Sequence, residues 1–215
     1  MTKKILITGA NGQLGHEMRN ALKGNNRFEC IFTDVAELDI CNAEAVKQTI
    51  ADNHIDYIVN CAAYTQVDKA EDNAELCKKI NTDAVENLAR AAADYGARMI
   101  HISTDYVFNG RGYRPYTEVV VPDPQSVYGS TKLEGEKILT DICPESIIIR
   151  TAWLYSPYGN NFVKTMLHLG EEREELSVVA DQIGTPTCAA DLAQAILVIL
   201  QADTFVPGTY HFSDE

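Results

Sequence analysis

Lys4-Ile5-Leu6-Ile7-Thr8-Gly9-Ala10-Asn11-Gly12-Gln13-Leu14-Gly15 is the stretch that decides the fold. Its first four residues form a short apolar run that stops at Thr8-Gly9, the pattern of a buried strand. Leu14, Met18, Ala21 and Leu22 then recur at helical spacing until Gly24. Three glycines therefore lie between a strand and a helix. Gly9 permits the tight turn, Gly12 lets the backbone approach a pyrophosphate, and Gly15 allows close helix–strand packing. The helix that follows points free N–H groups and the positive end of its dipole at an anion. A glycine-rich turn without a ligand gives the same letters, but the strand–turn–helix setting favours nucleotide binding. Gly9, Asn11, Gly12, Gln13, Leu14 and Gly15 are thus candidate cofactor contacts.

Outward from this stretch the same alternation continues. Phe28–Thr33 reads as a second strand, and Asp34 ends it about 20 residues after the glycines, where an acid would hold a ribose 2′-hydroxyl. An acid there repels a 2′-phosphate, so NADH should be accepted. Asn42 caps a helix carrying Val46 and Ile50, and Tyr57-Ile58-Val59 is a third strand. Asp72 and Glu75 have capping-box spacing and open one long helix with Leu76, Ile80, Ala84, Leu88 and Ala91 on a face. Met99–Ile102 is a fourth strand, Ser126–Asp141 a helix and Ser146–Arg150 a fifth strand. Strands alternating with helices predict an α/β fold, a Rossmann-like doubly wound parallel sheet with ligands beyond the carboxyl ends of its strands. Residues 1–150 are read as the dinucleotide-binding domain. Residues 151–215, with helical stretches at Asn160–Leu169 and Asp191–Leu200 and a strand-like Thr209–Phe212, are read as part of a smaller substrate region. The stop at Ser213-Asp214-Glu215, just after a strand, reads as a truncation.

The 215 residues carry a formal net charge of −13, which argues against a nucleic acid or an anionic membrane as partner. A small phosphorylated ligand needs only local N–H groups. The six cysteines show no CxxC pair, and His16, His54, His101, His168 and His211 are scattered without ligand spacing, so no metal site is expected. No secretory signal or bilayer-length apolar run is evident, and a cytoplasmic protein with free thiols is the expectation. A homodimer is the one assembly left open.

The chemistry is carried by Ser103-Thr104-Asp105 and Tyr128-Gly129-Ser130-Thr131-Lys132. Tyr128 and Lys132 stand at i and i+4 and share a helix face, with Thr104 at the end of the fourth strand. Hydride addition to a ketone leaves an alkoxide that must be protonated. A free tyrosine, with a pKa of about 10, is a poor donor at neutral pH. The ammonium of Lys132, with a positive nicotinamide, is expected to bring Tyr128 toward 7, and Thr104 to bond the same carbonyl oxygen.

The GxxGxxG spacing, joined to YxxxK downstream of a strand-terminal Ser-Thr, resembles the extended branch of the short-chain dehydrogenase/reductase superfamily. Asn60-Cys61-Ala62-Ala63-Tyr64 corresponds to that superfamily's Asn-Ala-Ala stretch, so Ala62, Ala63 and Tyr64 are candidate cofactor contacts; Asp39-Ile40 falls where members contact the adenine. Nucleotide-sugar dehydratases carry Thr-Asp-Glu where this chain has Thr104-Asp105-Tyr106, which disfavours dehydration. Ser103–Phe108, Val67–Glu71, Arg150–Tyr155, Gly159–Phe162 and Asp181–Thr187 are similar to the corresponding runs of the dTDP-4-dehydrorhamnose reductases. That resemblance implies reduction of a dTDP-linked 4-keto-6-deoxy sugar to dTDP-L-rhamnose, a cell-envelope sugar donor, with NADPH or NADH. It implies Tyr128 as catalytic acid assisted by Lys132 and Thr104, Lys132 also on the nicotinamide ribose, and substrate contacts at Thr104, Asp105, Tyr128 and Trp153. It also implies a C-terminal segment, beyond this chain, that helps enclose the sugar nucleotide. Two alternatives stay open: an epimerase of the same superfamily, and a non-catalytic NAD(P)-binding regulatory subunit.

Overall fold

The computed structural model describes residues 2–214. Six strands form one parallel sheet: β1 (Lys3–Thr8), β2 (Phe28–Phe32), β3 (Tyr57–Asn60), β4 (Arg98–Thr104), β5 (Ile147–Thr151) and β8 (Gly208–His211), in the order β2-β1-β3-β4-β5-β8. A short parallel pair, β6 (Leu154–Tyr155) and β7 (Thr187–Cys188), stands beside it. The helices are α1 (Gln13–Ala21), α2 (Ala43–Asn53), α3 (Val67–Asp72), α4 (Ala74–Lys78), α5 (Ala84–Tyr95), α6 (Val127–Ile142), α7 (Phe162–Glu172) and α8 (Ala189–Gln201).

Alternate strand residues feed two cores. Leu6, Ile58, Met99 and Ile148 pack with Val46 and Ile50 of α2, Leu88 of α5 and Leu139 of α6. Ile5, Ile7, Val59, Ile100, Ile147 and Ile149 face the other way, onto Leu14 and Met18 of α1 and Leu192 and Ile196 of α8. A parallel sheet covered on both faces requires such near-continuous apolar strands. Each fully buried Leu or Ile contributes about 1.5–3 kcal/mol of transfer free energy. The chain leaves β1 toward β2 on one side and toward β3 on the other. That reversal opens a crevice at the carboxyl ends of β1 and β3, where Thr8 and Asn60 are register partners.

Three features differ from the sequence expectation. Asp72 closes α3 rather than capping a helix, and no side chain caps α4. The expected long helix is broken by a wide π-type turn at Lys79–Asp83 before α5 begins. That turn aims the buried Asn81 side chain back at the Tyr64 backbone, accepting from Tyr64 N at 2.8 Å and donating to Tyr64 O at 3.1 Å. Finally, the chain after residue 150 does not stay apart: β8 pairs with β5 and α8 packs against α1. Only the part from about 152 to 186 lies outside the sheet and its helices.

Candidate active site

The turn after β1 is a backbone cradle. Gly9 has φ +62°, and a Cβ there would lie 2.6 Å from Ala62 N, so β3's exit and the turn touch backbone to backbone. Gly12 precedes α1 in extended conformation, no side chain caps that helix, and its first turn holds no acid. The orphan N–H groups are thus left to whatever enters the crevice, and an anionic pyrophosphate fits them. Asp34 closes the cradle from β2: its carboxylate accepts from Asn11 N at 2.9 Å and from Val35 N at 2.8 Å.

One cleft of about 1470 Å³ runs from this cradle along the strand ends. That exceeds the usual volume of a pocket for one small ligand and suits a dinucleotide beside a second ligand. Gly9, Asn11, Gly12, Gln13, Leu14, Asp34, Asp39, Ile40, Ala62 and Ala63 line one part of it. Thr104, Asp105, Tyr128, Lys132 and Trp153 line the rest. Gly15 and Tyr64 do not line it. Gly15 is where α1 crosses the cradle, a Cβ there meeting Gly9 O at 2.4 Å, and Tyr64 is tied through its backbone to Asn81 while its ring packs near Tyr128.

Ser126 starts α6 by accepting from Gly129 N at 3.1 Å, which puts Tyr128 and Lys132 in its first two turns, facing the end of β4. The approach is close: a Cβ on Gly129 would lie 2.2 Å from Tyr106 O. Tyr106 meets the Tyr128 ring edge-on at 5.5 Å. Thr104 Oγ1 accepts from Tyr106 N at 3.2 Å and donates to Asp105 Oδ1 at 3.2 Å. Burial raises the Asp105 carboxyl above the usual range despite that hydroxyl.

Tyr128 departs from expectation. Burial pushes its phenol up to about 12; the Thr104 hydroxyl opposes this, while Asp105 and Tyr106 add to it. Lys132 is 1% exposed and is itself brought down to about 8, chiefly by burial, with Glu136 acting in the opposite direction. Its Nζ is turned inward, donating to Ile102 O at 2.7 Å and standing 3.3 Å from His101 Nε2. Burial of the phenol itself is the dominant influence on Tyr128, and it favours the protonated form.

The part played by His101, and the contacts that hold Asn60, Gln13 and Trp153 in place, were not evident from the sequence. His101 and Asn60 lie directly behind Lys132, and their side chains meet at 3.0 Å. Gln13 holds the far rim: its Oε1 accepts from Asn161 Nδ2 at 2.8 Å and its Nε2 donates to Leu154 O at 3.3 Å. Trp153 has φ +46°, rare for a bulky residue and characteristic of strained functional positions, and its indole rests against Gly184 while remaining 39% exposed. The sequence marked Gln13, Trp153 and the Asn60 stretch through their motifs, but not the pairing of Asn60 with His101, which are register partners on the adjacent strands β3 and β4.

A glycine cradle at the switch point of a parallel sheet, sharing one cleft with a strand-terminal Thr and a Tyr/Lys pair, defines an oxidoreductase of the extended short-chain dehydrogenase/reductase type. The family model described as the RmlD substrate binding domain matches residues 3–215. The dTDP-4-dehydrorhamnose reductase of Escherichia coli (strain K12) is 47% identical over 215 residues, covering 96% of this chain and 71% of that protein. Among solved structures, the dTDP-4-dehydrorhamnose reductase of Clostridium acetobutylicum is 50% identical with a TM-score of 0.94, covering 99% of this chain and 74% of that one. That of Bacillus anthracis, solved in complex with NADP, is 44% identical with a TM-score of 0.95, covering 100% and 75%. The chain belongs to the dTDP-4-dehydrorhamnose reductase family.

Proposed function

We propose that this chain reduces the 4-keto group of dTDP-4-dehydro-L-rhamnose to the alcohol of dTDP-L-rhamnose, with NADPH or NADH as reductant. The observation that carries the reading is that Thr104, Tyr128 and Lys132 share one cleft with the uncapped, glycine-lined start of α1. The named activity of the E. coli relative and the NADP of the B. anthracis structure support it.

When bound, the nicotinamide supplies the hydride that goes to the carbonyl carbon. The chain does the rest. Gln13 and Leu14, at the uncapped start of α1, take the pyrophosphate on backbone N–H groups, with Gly9, Asn11 and Gly12 shaping the turn against it. Asp34, Asp39 and Ile40 receive the adenosine end, with Ala62 and Ala63 flooring the cleft. Lys132 holds the ribose hydroxyls. Thr104 donates to the sugar's carbonyl oxygen and polarises it. Tyr128, protonated throughout the neutral range, transfers its phenolic proton to that oxygen and is reprotonated from solvent. Asp105 and Trp153 border the sugar, and residues of about 152–186 form the substrate side of the cleft, a narrower region than 151–215. Among the described residues no helix is long and apolar enough to cross a membrane, and the six cysteines are unpaired. A cytoplasmic location is part of the proposal, in keeping with a biosynthetic reductase that draws on NADPH or NADH.

The test is the loss of nicotinamide absorbance when the protein is mixed with NADH or NADPH and the 4-keto sugar nucleotide. Tyr128→Phe should slow the loss by about 10²–10⁴-fold while cofactor binding persists. Cofactor binding without oxidation in the unsubstituted protein would overturn the reading in favour of a regulatory subunit.

A further inference from the structure

The buried face of Lys132 carries a hydrogen-bond sequence whose polarity can be read from one end. Asn60 Oδ1 accepts from Thr8 Oγ1 at 2.6 Å and from Ala62 N at 3.2 Å. A backbone N–H only donates, so it fixes which end of the amide is oxygen. The Asn60 nitrogen, 3.0 Å from His101 Nδ1, is then the donor, and Nδ1 is the acceptor. His101 is fully buried, and burial first and Lys132 second hold its pKa well below the ordinary value, so the ring is neutral. Its single proton sits on Nε2, which faces Lys132 Nζ at 3.3 Å.

That contact discriminates between the two forms of the lysine. An ammonium has three donors and no acceptor, so it meets the Nε2–H donor to donor. The neutral amine has a lone pair to accept it while still donating to Ile102 O. The other titratable groups that act on Lys132 are Glu136 on α6 and Cys77 on α4. Glu136 is engaged by Arg150, at 3.0 and 2.6 Å, and Glu136 and Cys77 both favour the ammonium. His101 is the neighbour on β4, and it works against them.

We propose that His101 is a positioning residue for the reduction: through the tautomer that Asn60 imposes, it disfavours the Lys132 ammonium, so that at mildly alkaline pH Lys132 is neutral at rest and takes up a solvent proton in response to negative charge in the cleft. The proposal rests on the reductase reading above. Once Tyr128 has given its proton to the substrate oxygen, the phenolate charge favours a proton on Lys132. A lysine balanced in this way responds within the working pH range, whereas an ordinary one stays charged throughout.

The pH dependence of NADH binding, followed by fluorescence, tests this without any sugar. The wild-type profile should contain a step near pH 8 that is missing in Lys132→Met. His101→Gln can turn an amide oxygen toward Nζ, and should move that step up by about one pH unit or more. The alkaline limb of kcat/KM should move with it. An unmoved step in folded His101→Gln, or a wild-type profile with no Lys132-dependent step, would overturn the proposal. If the step moves as expected but the wild type oxidises no NADH with the sugar, the reductase reading fails and the His101–Lys132 coupling stands. Should the variant not fold, ¹⁵N NMR of the wild-type imidazoles decides: His101 should stay a neutral Nε2–H tautomer from about pH 5 to 9. An Nδ1–H tautomer or a titrating ring overturns it.

Discussion

Replacing Lys132 with Met should change how stability depends on pH, and the size of the effect follows from the site. The lysine has a folded pKa of about 8 against 10.5 in the open chain. Below about pH 8 both states bind the proton and the folded state bears the full penalty of a buried ammonium. Between about 8 and 10.5 the folded chain releases the proton while the unfolded chain keeps it. The unfolded state then binds more protons, so stability rises with pH. Tyr128 acts later and with the opposite sign. Its phenol is held near 12 against 10 in the open chain, so its contribution is complete below about pH 10 and is lost as pH climbs toward 12. From pH 7 to 10 the lysine dominates, and linkage gives a gain of about 2.5 kcal/mol to the wild type relative to Lys132→Met. The variant also strands the Ile102 carbonyl, a loss of about 1–3 kcal/mol, but that offset does not vary with pH. Urea unfolding followed by circular dichroism at a series of pH values reads the difference. Curves that run parallel within about 0.5 kcal/mol would refute the reasoning, because they would mean that Lys132 titrates alike in both states.

Asp34→Ala should lower the preference for NADH over NADPH by about tenfold, measured as the ratio of dissociation constants, since it removes the carboxylate a 2′-phosphate would meet. Glu136→Leu strands Arg150, whose side chain is only 8% exposed, and should lower stability by about 3–5 kcal/mol and the thermal midpoint by roughly 10 °C. The double replacement Glu136→Leu with Arg150→Met should recover most of that loss in the same melt, because no buried charge is left over. Gly129→Ala forces α6 away from Tyr106 O and should cost about 10²-fold in kcat, with a much smaller change in NADH dissociation constant.

How much of this was legible in the sequence depended on whether the cause was local. Ile5, Leu6 and Ile7 are buried on both faces, so their run reads as a parallel strand without any knowledge of partners. Asn42 and Ser126 cap helices through contacts three residues away, and both signals lie within the sequence window. Asp72 and Glu75 mimic a capping box because the spacing is right, but Asn73 breaks α3 from α4. The turn at Lys79–Asp83 is favoured by contacts of Asn81 with Tyr64 and with Thr131, 17 and 50 residues away, which no local pattern contains. The Tyr128–Lys132 pair was visible as a one-turn spacing, yet the ionisation of both is governed chiefly by burial, which depends on the assembled sheet. Gly15 and Tyr64 sit in recognisable motifs but support the cradle from behind, a distinction between packing and contact that spacing does not make.

The pairing of β8 with β5 has a consequence for how the molecule is made. Ile147 and its partner Gly208 are about 60 residues apart in the chain. At ordinary rates of synthesis, the outer edge of the Ile147–Thr151 strand waits roughly 3 to 12 seconds on the ribosome for the strand that covers it. During that wait it is an apolar edge with open N–H and C=O groups, the kind of template that recruits other chains. Folding therefore has its point of greatest exposure at this strand, and nascent or refolding chains should be most prone to self-association there, before the last pairing of the sheet is made.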